Sequence, residues 1–302
     1  MRSNRNTALS TAAALTGFAA NSLLCRTALG ARAIDAWSFT CVRLGSGAVM
    51  LFLLVRIARR GREAGANVGA SASVSSGSPG SWGSALALYA YAALFSLAYL
   101  RLSTGVGALV LFASVQTTMI GWGVYRGERP TRAEWVGVAI ALAGLVLLTL
   151  PGAVAPDPLG LVFMLLAGAA WGAYSLRGRG SRAPLAATAG NFARSVPLAL
   201  AALALNLPAA HVGARGVWLA LASGALASGV GYSLWYRALP GLSPARAAVV
   251  QLVVPVLAAT AGILLLGEQP TLRLVGAGAM ILGGVAIAVS LRGRGTRVGA
   301  AR

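Results

Sequence analysis

The sequence has no lysine and few charged residues of any kind. Charged residues make up 10% of its 302 residues, against about a quarter in ordinary soluble domains, while hydrophobic residues make up 57%. So few charges cannot cover a surface that faces water. A soluble helical domain would also need periodic polar faces, and the sequence lacks them. A soluble protein is therefore excluded, and an all-α integral membrane protein is predicted.

Histidine, cysteine and acidic residues are also scarce. The single histidine, His211, falls in a predicted loop, so no metal-ligand cluster can be assembled, and no cofactor is expected. Cys25 and Cys41 are interpreted as small apolar residues, because sequence alone does not establish the proximity that a disulfide needs. All six carboxylates fall in loops or at helix ends. Without a proton carrier inside the membrane, facilitated transport or exchange is favoured over proton coupling.

Long apolar runs recur along the whole chain, each near the roughly 20 residues that cross a bilayer as a helix. The first run follows an arginine-bearing start, as in a signal peptide, but an uncleaved helix is favoured because no exported soluble domain follows. The ten predicted transmembrane helices are 8–25, 34–55, 83–100, 104–125, 133–150, 158–176, 185–205, 216–236, 244–266 and 272–290.

The arginines are distributed unevenly between the two sides of this predicted helix set. The net charge of +19 is also typical of nucleic-acid-binding proteins, but no soluble domain is predicted to carry a basic surface, so no nucleic-acid partner is expected. With loops assigned to alternate sides, 18 arginines share the side of the N-terminus and five lie opposite. Because cytoplasmic loops are enriched in arginine, both termini are predicted to be cytoplasmic, in the inner (plasma) membrane.

One pentapeptide occurs twice in the chain. GERPT begins at Gly127 and GEQPT begins at Gly267, 140 residues later. A second correspondence, at a shift of 151, relates LTGFAANSLLCR at 15–26 to LAGAAWGAYSLR at 166–177. These matches indicate that the chain contains one module twice.

The duplication divides the chain into two five-helix repeats. Because five is odd, the second repeat enters the membrane from the opposite side, so the repeats are inverted, an arrangement typical of transporters. The first repeat carries a longer Gly/Ser/Ala-rich loop, predicted to be a flexible cytoplasmic segment. The predicted boundaries are 1–150 for the first repeat, 61–81 for its flexible loop, 151–157 for the linker and 158–302 for the second repeat.

Each pentapeptide is predicted to be a tight turn between two helices. Thr131 precedes Glu134 by three residues, which is the spacing of a helix capping box, whereas Leu274 takes the equivalent position after the second turn. Glu128 and Glu268 are predicted to pair with nearby arginines. A structural turn is favoured here over a substrate contact.

Polar residues within the predicted helices indicate where a substrate binds, because such residues tend to face the bundle interior. Arg43 and Arg194 correspond at the shift of 151 and have no acidic residue at mid-helix to neutralise them. They are predicted to line the cavity and to bind an anionic group such as a carboxylate; the alternative is that they bond backbone carbonyls or extend to water. Helices five and ten have apolar middles and are predicted at the periphery, facing lipid or a partner subunit in a possible homodimer.

Eight further residues are candidates for substrate binding. The amides offer oriented hydrogen bonds, and their alternative role is to bridge helices. The aromatic side chains offer apolar walls, and their alternative is an interfacial belt. These candidates are Asn21, Gln116, Asn191, Gln251, Tyr99, Trp171, Tyr174 and Tyr232.

With these features the chain resembles the drug/metabolite transporter superfamily, of the EamA type. The resemblance rests on the five-helix duplication, the Gly-Glu-x-Pro turns at Gly127 and Gly267, and the AAWGAYS stretch at 169–175. Helix one departs from the pattern, since Ala20-Asn21-Ser22 stands where the second repeat has Trp171-Gly172-Ala173. The resemblance implies alternating-access transport of small metabolites, often amino acids, with helices five and ten outside the central cavity.

The sequence therefore predicts a secondary transporter, of exporter type, for amino acids or other carboxylate-bearing metabolites, with the substrate and the lipid bilayer as its partners. An antiporter of cationic drugs and protons is the main alternative. An intramembrane enzyme is disfavoured, because no Ser–His pair is available and the glycine-rich stretch 276–284 lies in a membrane helix. A membrane scaffold is disfavoured because it does not need a polar cavity between the repeats.

Overall fold

The structure is a computed structural model that describes residues 2–65, 80–127, 131–149, 155–178, 181–242 and 250–298. These residues are almost entirely helical, and the prediction of an all-helical fold is confirmed. The helices are α1 (Arg2–Gly30), α2 (Ala36–Gly65), α3 (Trp82–Tyr99), α4 (Thr104–Tyr125), α5 (Arg132–Thr149), α6 (Pro158–Gly178), α7 (Pro184–Leu205), α8 (Ala214–Leu221, Ala222–Val230 and Gly231–Ala238 in succession), α9 (Val253–Leu266) and α10 (Leu272–Val298).

Six of the described helices, namely α1, α2, α3, α4, α6 and α8, are long and apolar enough to cross a membrane. Helices α9 and α10 contribute shorter apolar stretches. Large apolar side chains are also exposed on the outside of the bundle, among them Leu264 and Leu265 of α9. The chain is therefore a multi-pass membrane protein. Ten spans and two cytoplasmic termini stay predictions.

Both boundaries of the predicted loop 61–81 differ from the structure. Helix α2 continues to Gly65, into the predicted loop 61–81, because the arginine and alanine residues of its last turns favour helix. Residues 66–79 of that loop lie outside the described residues. At its other end, the predicted flexible loop includes Ser81, but Ser81 is the N-cap of α3. Its side chain accepts a hydrogen bond from the Ser84 amide.

The predicted helix 244–266 is interrupted in its described part, where Val250 and Gln251 are helical and Leu252 is not. Residues 243–249 are not described, and a turn at Leu252 precedes α9. Pro255 has no N–H to bond the carbonyl of Gln251, so the regular helix is interrupted at this point.

The main contacts between helices join the first half of the chain to the second. Helix α5 packs along α10, α2 along α7, α3 and α4 on α6, and α1 on α8 and α9. The α5–α10 pair reaches the rest of the bundle mainly through α4. Each half therefore buries its apolar helix faces chiefly against the other half.

Glycine allows α5 and α10 to approach with their backbones in contact. A Cβ added to Gly137 would lie 2.5 Å from the carbonyl oxygen of Gly284, and a Cβ on Gly284 would meet the carbonyl of Gly137 in return. A Cβ on Gly144 would lie 2.9 Å from the carbonyl of Ala277. The shift of 140 residues relates Gly137 to Ala277 and Gly144 to Gly284, so the two contacts correspond to each other. Small residues at such positions are typical of closely packed membrane helices.

The predicted capping box at the start of α5 is confirmed. The Thr131 amide donates to the Glu134 carboxylate, and the Glu134 amide donates to the Thr131 hydroxyl over 3.3 Å. In the second copy the Leu274 amide donates to the Thr271 hydroxyl over 3.1 Å. The leucine side chain has no acceptor for the Thr271 amide, so the reciprocal hydrogen bond is missing. Glu128 of the first pentapeptide lies outside the described residues.

Asp35 joins two loops at one end of the bundle. One of its carboxylate oxygens accepts hydrogen bonds from the amides of Trp37 (3.0 Å) and Ser38 (2.9 Å), which caps α2. The other oxygen accepts from the amide of His211 (3.0 Å), in the loop before α8. Partial burial acts to raise the pKa of Asp35, but these hydrogen bonds outweigh it and hold the pKa below its ordinary value.

We expect Asp35→Ala to lower the free energy of unfolding by about 1–2 kcal/mol at pH 7, the usual cost of losing an N-cap. Because the folded-state pKa is depressed, the contribution of Asp35 is present above the ordinary carboxyl pKa of about 4 and is lost as the pH falls through the folded value. Thermal unfolding in detergent at pH 7 and pH 3 tests this. Asp35→Asn keeps an acceptor for the cap and has no carboxyl group to titrate, so it should lose less stability at pH 7 than Asp35→Ala. An equal loss of stability in both variants at pH 7 would contradict the prediction.

Candidate substrate cavity

A small cavity lies between helices of both halves of the chain. Its volume, measured at the centres of water-sized spheres, is about 50 Å³, which is room for roughly three to five water molecules. This space is too small for a metabolite, so the helices must separate before one can bind. The lining residues are Phe18, Asn21, Ser22, Tyr91, Phe95, Leu111, Phe112, Val115, Trp171, Ala227, Ser228, Tyr232 and Gln251.

Aromatic rings form one continuous wall of this cavity. The ring of Trp171 lies 4.8 Å from that of Tyr91, 5.5 Å from that of Tyr232 and 5.2 Å from that of Tyr174, centroid to centroid. Tyr232 in turn lies 5.5 Å from Phe18. Such offset and tilted contacts stabilise one another and hold the rings in fixed positions. The wall suits the apolar part of a small molecule.

The polar groups that line the cavity are uncharged. They are the side chains of Asn21, Ser22, Ser228 and Gln251 and the hydroxyls of the lining tyrosines. The oxygen of the Asn21 amide already accepts a hydrogen bond from Ser223, which lies one turn away from the cavity on α8. None of the described residues that line the cavity is acidic or basic. Any charge that acts on a bound molecule therefore comes from behind the wall.

Arg43 of α2 lies directly behind this wall and is 2% exposed. Its Nη2 donates to the Tyr91 hydroxyl over 3.2 Å, and its Cζ lies 5.3 Å from the centre of the Tyr91 ring and 5.0 Å from that of Phe95. Within the described residues, its Nε and Nη1 have no hydrogen-bond partner. A buried guanidinium with two unpaired donors is energetically costly, and an anion would relieve that cost.

Arg194, which the repeat relates to Arg43, has a different environment. It is half-buried on α7, and its Nη1 donates to the carbonyl of Gly190 in the same helix over 3.1 Å. It does not belong to the residues that line the cavity. This arrangement is the backbone-bonded alternative that the sequence left open for the two arginines. Substrate binding by Arg194 stays a prediction.

Asn191 and Tyr174 belong to a hydrogen-bonded layer next to the cavity. The Asn191 oxygen accepts from the Ser81 amide over 2.9 Å, and its Nδ2 donates to the Tyr174 hydroxyl over 3.4 Å. Thr188 is bonded to the hydroxyls of Tyr174 (3.4 Å) and Tyr236 (3.0 Å). The layer joins α3, α6, α7 and α8, which is the helix-bridging role considered for these residues.

The other predicted site residues divide between the cavity and its surroundings. Asn21, Trp171, Tyr232 and Gln251 line the cavity. Tyr99 packs behind it, edge to face against Phe95, with the ring centres 4.7 Å apart. Gln116 lines a second, much smaller cavity between α4, α5 and α10, and substrate binding by Gln116 stays a prediction.

Tyr91 and Phe95 are site residues that the sequence analysis missed. Together with Tyr99 they recur every four residues along α3, and residues four apart share a helix face. The selection of Tyr99 alone overlooked this aromatic stripe. Its spacing was a signal that would have identified all three residues.

A π-helical stretch in α8, Ala222–Val230, brings the second half against Arg43. A Cβ on Gly224 would meet the carbonyl oxygen of Arg43 and the hydroxyl of Ser46, so only glycine permits this approach of α8 to α2. The same stretch places Ala227 and Ser228 in the cavity wall. Widened helical turns of this kind are rare and are frequent at functional sites.

Sequence relatives point to membrane transport. The model of the EamA-like transporter family matches residues 158–290. The uncharacterized protein PA1977 of Pseudomonas aeruginosa is 49% identical over 302 residues, which cover 98% of this chain and 99% of that protein. The uncharacterized inner membrane transporter YedA of Escherichia coli K12 is 27% identical over 173 residues, which cover 55% of each chain.

The fold also has a counterpart among solved structures. A crystal structure superposes with a TM-score of 0.62, covering 94% of this chain and 97% of that chain. The two sequences are 20% identical. At that identity the likeness shows the fold alone, and it covers both halves of the chain.

Proposed function

The chain belongs to the EamA-like transporter family, within the drug/metabolite transporter superfamily, and we propose that this membrane transporter is a secondary transporter that exports small carboxylate-bearing metabolites. It lies in the inner membrane with both termini in the cytoplasm. The central cavity between the two inverted repeats is the substrate site, and it opens alternately to the two sides of the membrane.

Arg43 is the observation that carries this proposal. A guanidinium buried among apolar helices, with no acidic partner in the described residues, is rare because the uncompensated charge is costly. A carboxylate supplies both the opposite charge and the acceptors that Nε and Nη1 lack. Arg43 touches two rings of the cavity wall, so a carboxylate in the enlarged cavity comes within its reach.

Two further features support alternating access. The helices of one half pack chiefly on those of the other, so a relative movement of the halves changes the cavity directly. The cavity of about 50 Å³ has room for only a few water molecules, so its volume must change when a substrate binds. Corresponding glycine contacts in the α5–α10 pair support the assignment of residues 1–150 and 158–302 to two inverted repeats.

Counterflow in proteoliposomes tests the proposal. Purified protein is assayed with labelled amino acids, organic anions and cationic drugs, with and without a pH gradient. We expect carboxylate-bearing compounds to exchange without a gradient, and Arg43→Gln to weaken their apparent affinity by roughly 10- to 100-fold, because a hydrogen bond to a charged group contributes about 1.5–3 kcal/mol. Arg215→Gln, on an exposed arginine, is the matched control.

The contrary result is also informative. Transport of cationic drugs alone, and only with a pH gradient, would replace the proposal by a drug/proton antiporter. In that case the aromatic wall would bind the cation, and the coupling carboxylate would be sought at the helix ends. Unchanged affinity in an Arg43→Gln protein that inserts and purifies normally would remove Arg43 from the site.

A further inference from the structure

We propose that the preferred substrate is an organic monoanion, a carboxylate on an apolar body without a positively charged group, and that Tyr91 binds its carboxylate directly. This inference rests on the proposed transport function and narrows its substrate class. It separates simple organic acids from amino acids, which carry an ammonium group beside the carboxylate. Three features of the cavity lead to it.

The first feature is the absence of negative charge around the cavity. No described residue of the lining is acidic, and the oxygen of the Asn21 amide is already engaged by Ser223. An ammonium group that leaves water needs an anion or several free acceptors, and a buried charge without them is strongly disfavoured. The positive charge of Arg43, just behind the wall, adds repulsion. For an amino acid, the unfavourable free energy of burying the ammonium group therefore offsets much of the favourable binding free energy of the carboxylate.

The second feature is the position of the Tyr91 hydroxyl. Its oxygen accepts the hydrogen bond from Nη2 of Arg43, so its own hydrogen remains to be donated. Tyr91 lines the cavity, whereas Arg43 does not. A hydroxyl that accepts from a cation becomes a stronger donor, because hydrogen bonds in a chain polarise one another. The hydroxyl thus carries the effect of the buried guanidinium into the cavity.

The third feature is the aromatic side of the wall next to Tyr91. The Tyr91 ring continues into Trp171, with their centroids 4.8 Å apart, and Phe18 and Phe112 face the same space. These rings cover an aliphatic or aromatic body and offer it few hydrogen bonds. A monocarboxylate with an apolar body matches this side of the cavity, where the polarised Tyr91 hydroxyl lies among aromatic rings.

Matched substrates test the proposal. L-leucine and 4-methyl-2-oxopentanoate share a carbon skeleton. Leucine carries an ammonium group at the carbon next to the carboxylate, where the oxo acid carries a ketone. In proteoliposome counterflow we expect kcat/KM for the oxo acid to exceed that for leucine by about tenfold or more, as expected where a site leaves one group of a substrate unpaired. Tyr91→Phe keeps the ring with its contacts to Trp171 and to the Arg43 guanidinium, and it loses the hydroxyl with its hydrogen bond to Nη2 of Arg43. It should raise KM for the oxo acid roughly 3- to 10-fold, with kcat little changed.

The control and the contrary outcomes separate this inference from transport itself. Tyr125→Phe alters a tyrosine that is 80% exposed at the end of α4 and should leave both substrates unaffected. Leucine carried as well as the oxo acid would overturn the monoanion preference and leave transport intact. An unchanged KM in Tyr91→Phe would remove the hydroxyl from the site. Flux of neither compound would also overturn the inference, and the transport proposal falls only if every carboxylate in the wider panel fails.

Discussion

Gly284→Ala will lower the free energy of unfolding by about 1–3 kcal/mol, the usual cost of adding a methyl group to a packed interior. A Cβ on Gly284 would meet the Gly137 carbonyl and lie 2.6 Å from the Ala141 amide nitrogen. These are backbone atoms of α5, which no side-chain rotation can move aside. The two helices must therefore separate along their main contact.

The adjacent Gly283 provides the control for this substitution. A Cβ on Gly283 would have no neighbouring atom within 4 Å among the described residues. Gly283→Ala should be neutral or stabilising, because alanine favours helix over glycine by up to about 1 kcal/mol. Unfolding in a denaturant series, followed by tryptophan fluorescence in detergent, measures both variants. Equal stability of the two variants would mean that α5 and α10 do not pack through these backbones.

The sequence predicted the fold well because its strongest signals act over long stretches. Low charge, repeated apolar runs and the twice-used pentapeptide at Gly127 and Gly267 predicted a helical membrane protein of this family. The capping box at Thr131 was predicted equally well, since it depends on residues three positions apart. Such features need no knowledge of which helices meet.

The site was harder to predict, because it depends on which side chains face each other across helices. Arg43 and Arg194 are equivalent in the repeat, and both were predicted to line the cavity and bind an anionic group. Arg43 contacts Tyr91 and Phe95 of α3, whereas Arg194 bonds its own helix. Arg101 corresponds to Arg237 at a shift of 136 residues, and at that shift Tyr91 and Phe95 correspond to Ala227 and Gly231. The second repeat thus lacks the aromatic pair. This difference is visible when the two repeats are aligned, but not when each arginine is considered alone.

The π-helical stretch of α8 is a feature that the sequence could not reveal. Gly224, Ser228, Gly229 and Gly231 predict a smooth packing face on this helix, and Gly224 does contact the backbone of α2. The stretch makes that contact and the Ser223–Asn21 hydrogen bond with distant parts of the chain. The local sequence of α8 does not indicate either partner.

Glu268→Ala is expected to have the second large effect, because this glutamate joins the second half of the chain to the first. Its Oε1 accepts from the amide (2.7 Å) and the hydroxyl (2.8 Å) of Thr104, at the start of α4. It also lies 4.0 Å from Nε of Arg26, as the predicted pairing with an arginine required. Arg26 in turn donates to the carbonyl of Tyr99 over 3.0 Å.

The loss of this carboxylate should lower the free energy of unfolding by about 2–4 kcal/mol. The Thr104 amide and hydroxyl lose a charged acceptor, and a hydrogen bond to a charged group contributes about 1.5–3 kcal/mol. The Arg26 contact adds little, since its side chain is 28% exposed and 4.0 Å is a long ion pair. Denaturant unfolding in detergent measures the effect. Gln269→Ala, in the same turn, is the control, because Gln269 donates only to the nearby Gly267 carbonyl, over 3.5 Å.

Glu268→Gln distinguishes a structural turn from a functional carboxylate. Glutamine keeps an acceptor for Thr104 and loses the charge, so a structural role predicts that much of the stability returns and that counterflow is preserved. A Glu268→Gln protein that is stable but no longer transports would show that the charge itself takes part in the transport cycle. That outcome would make the second pentapeptide part of the coupling machinery, and the preference for a purely structural turn would be wrong.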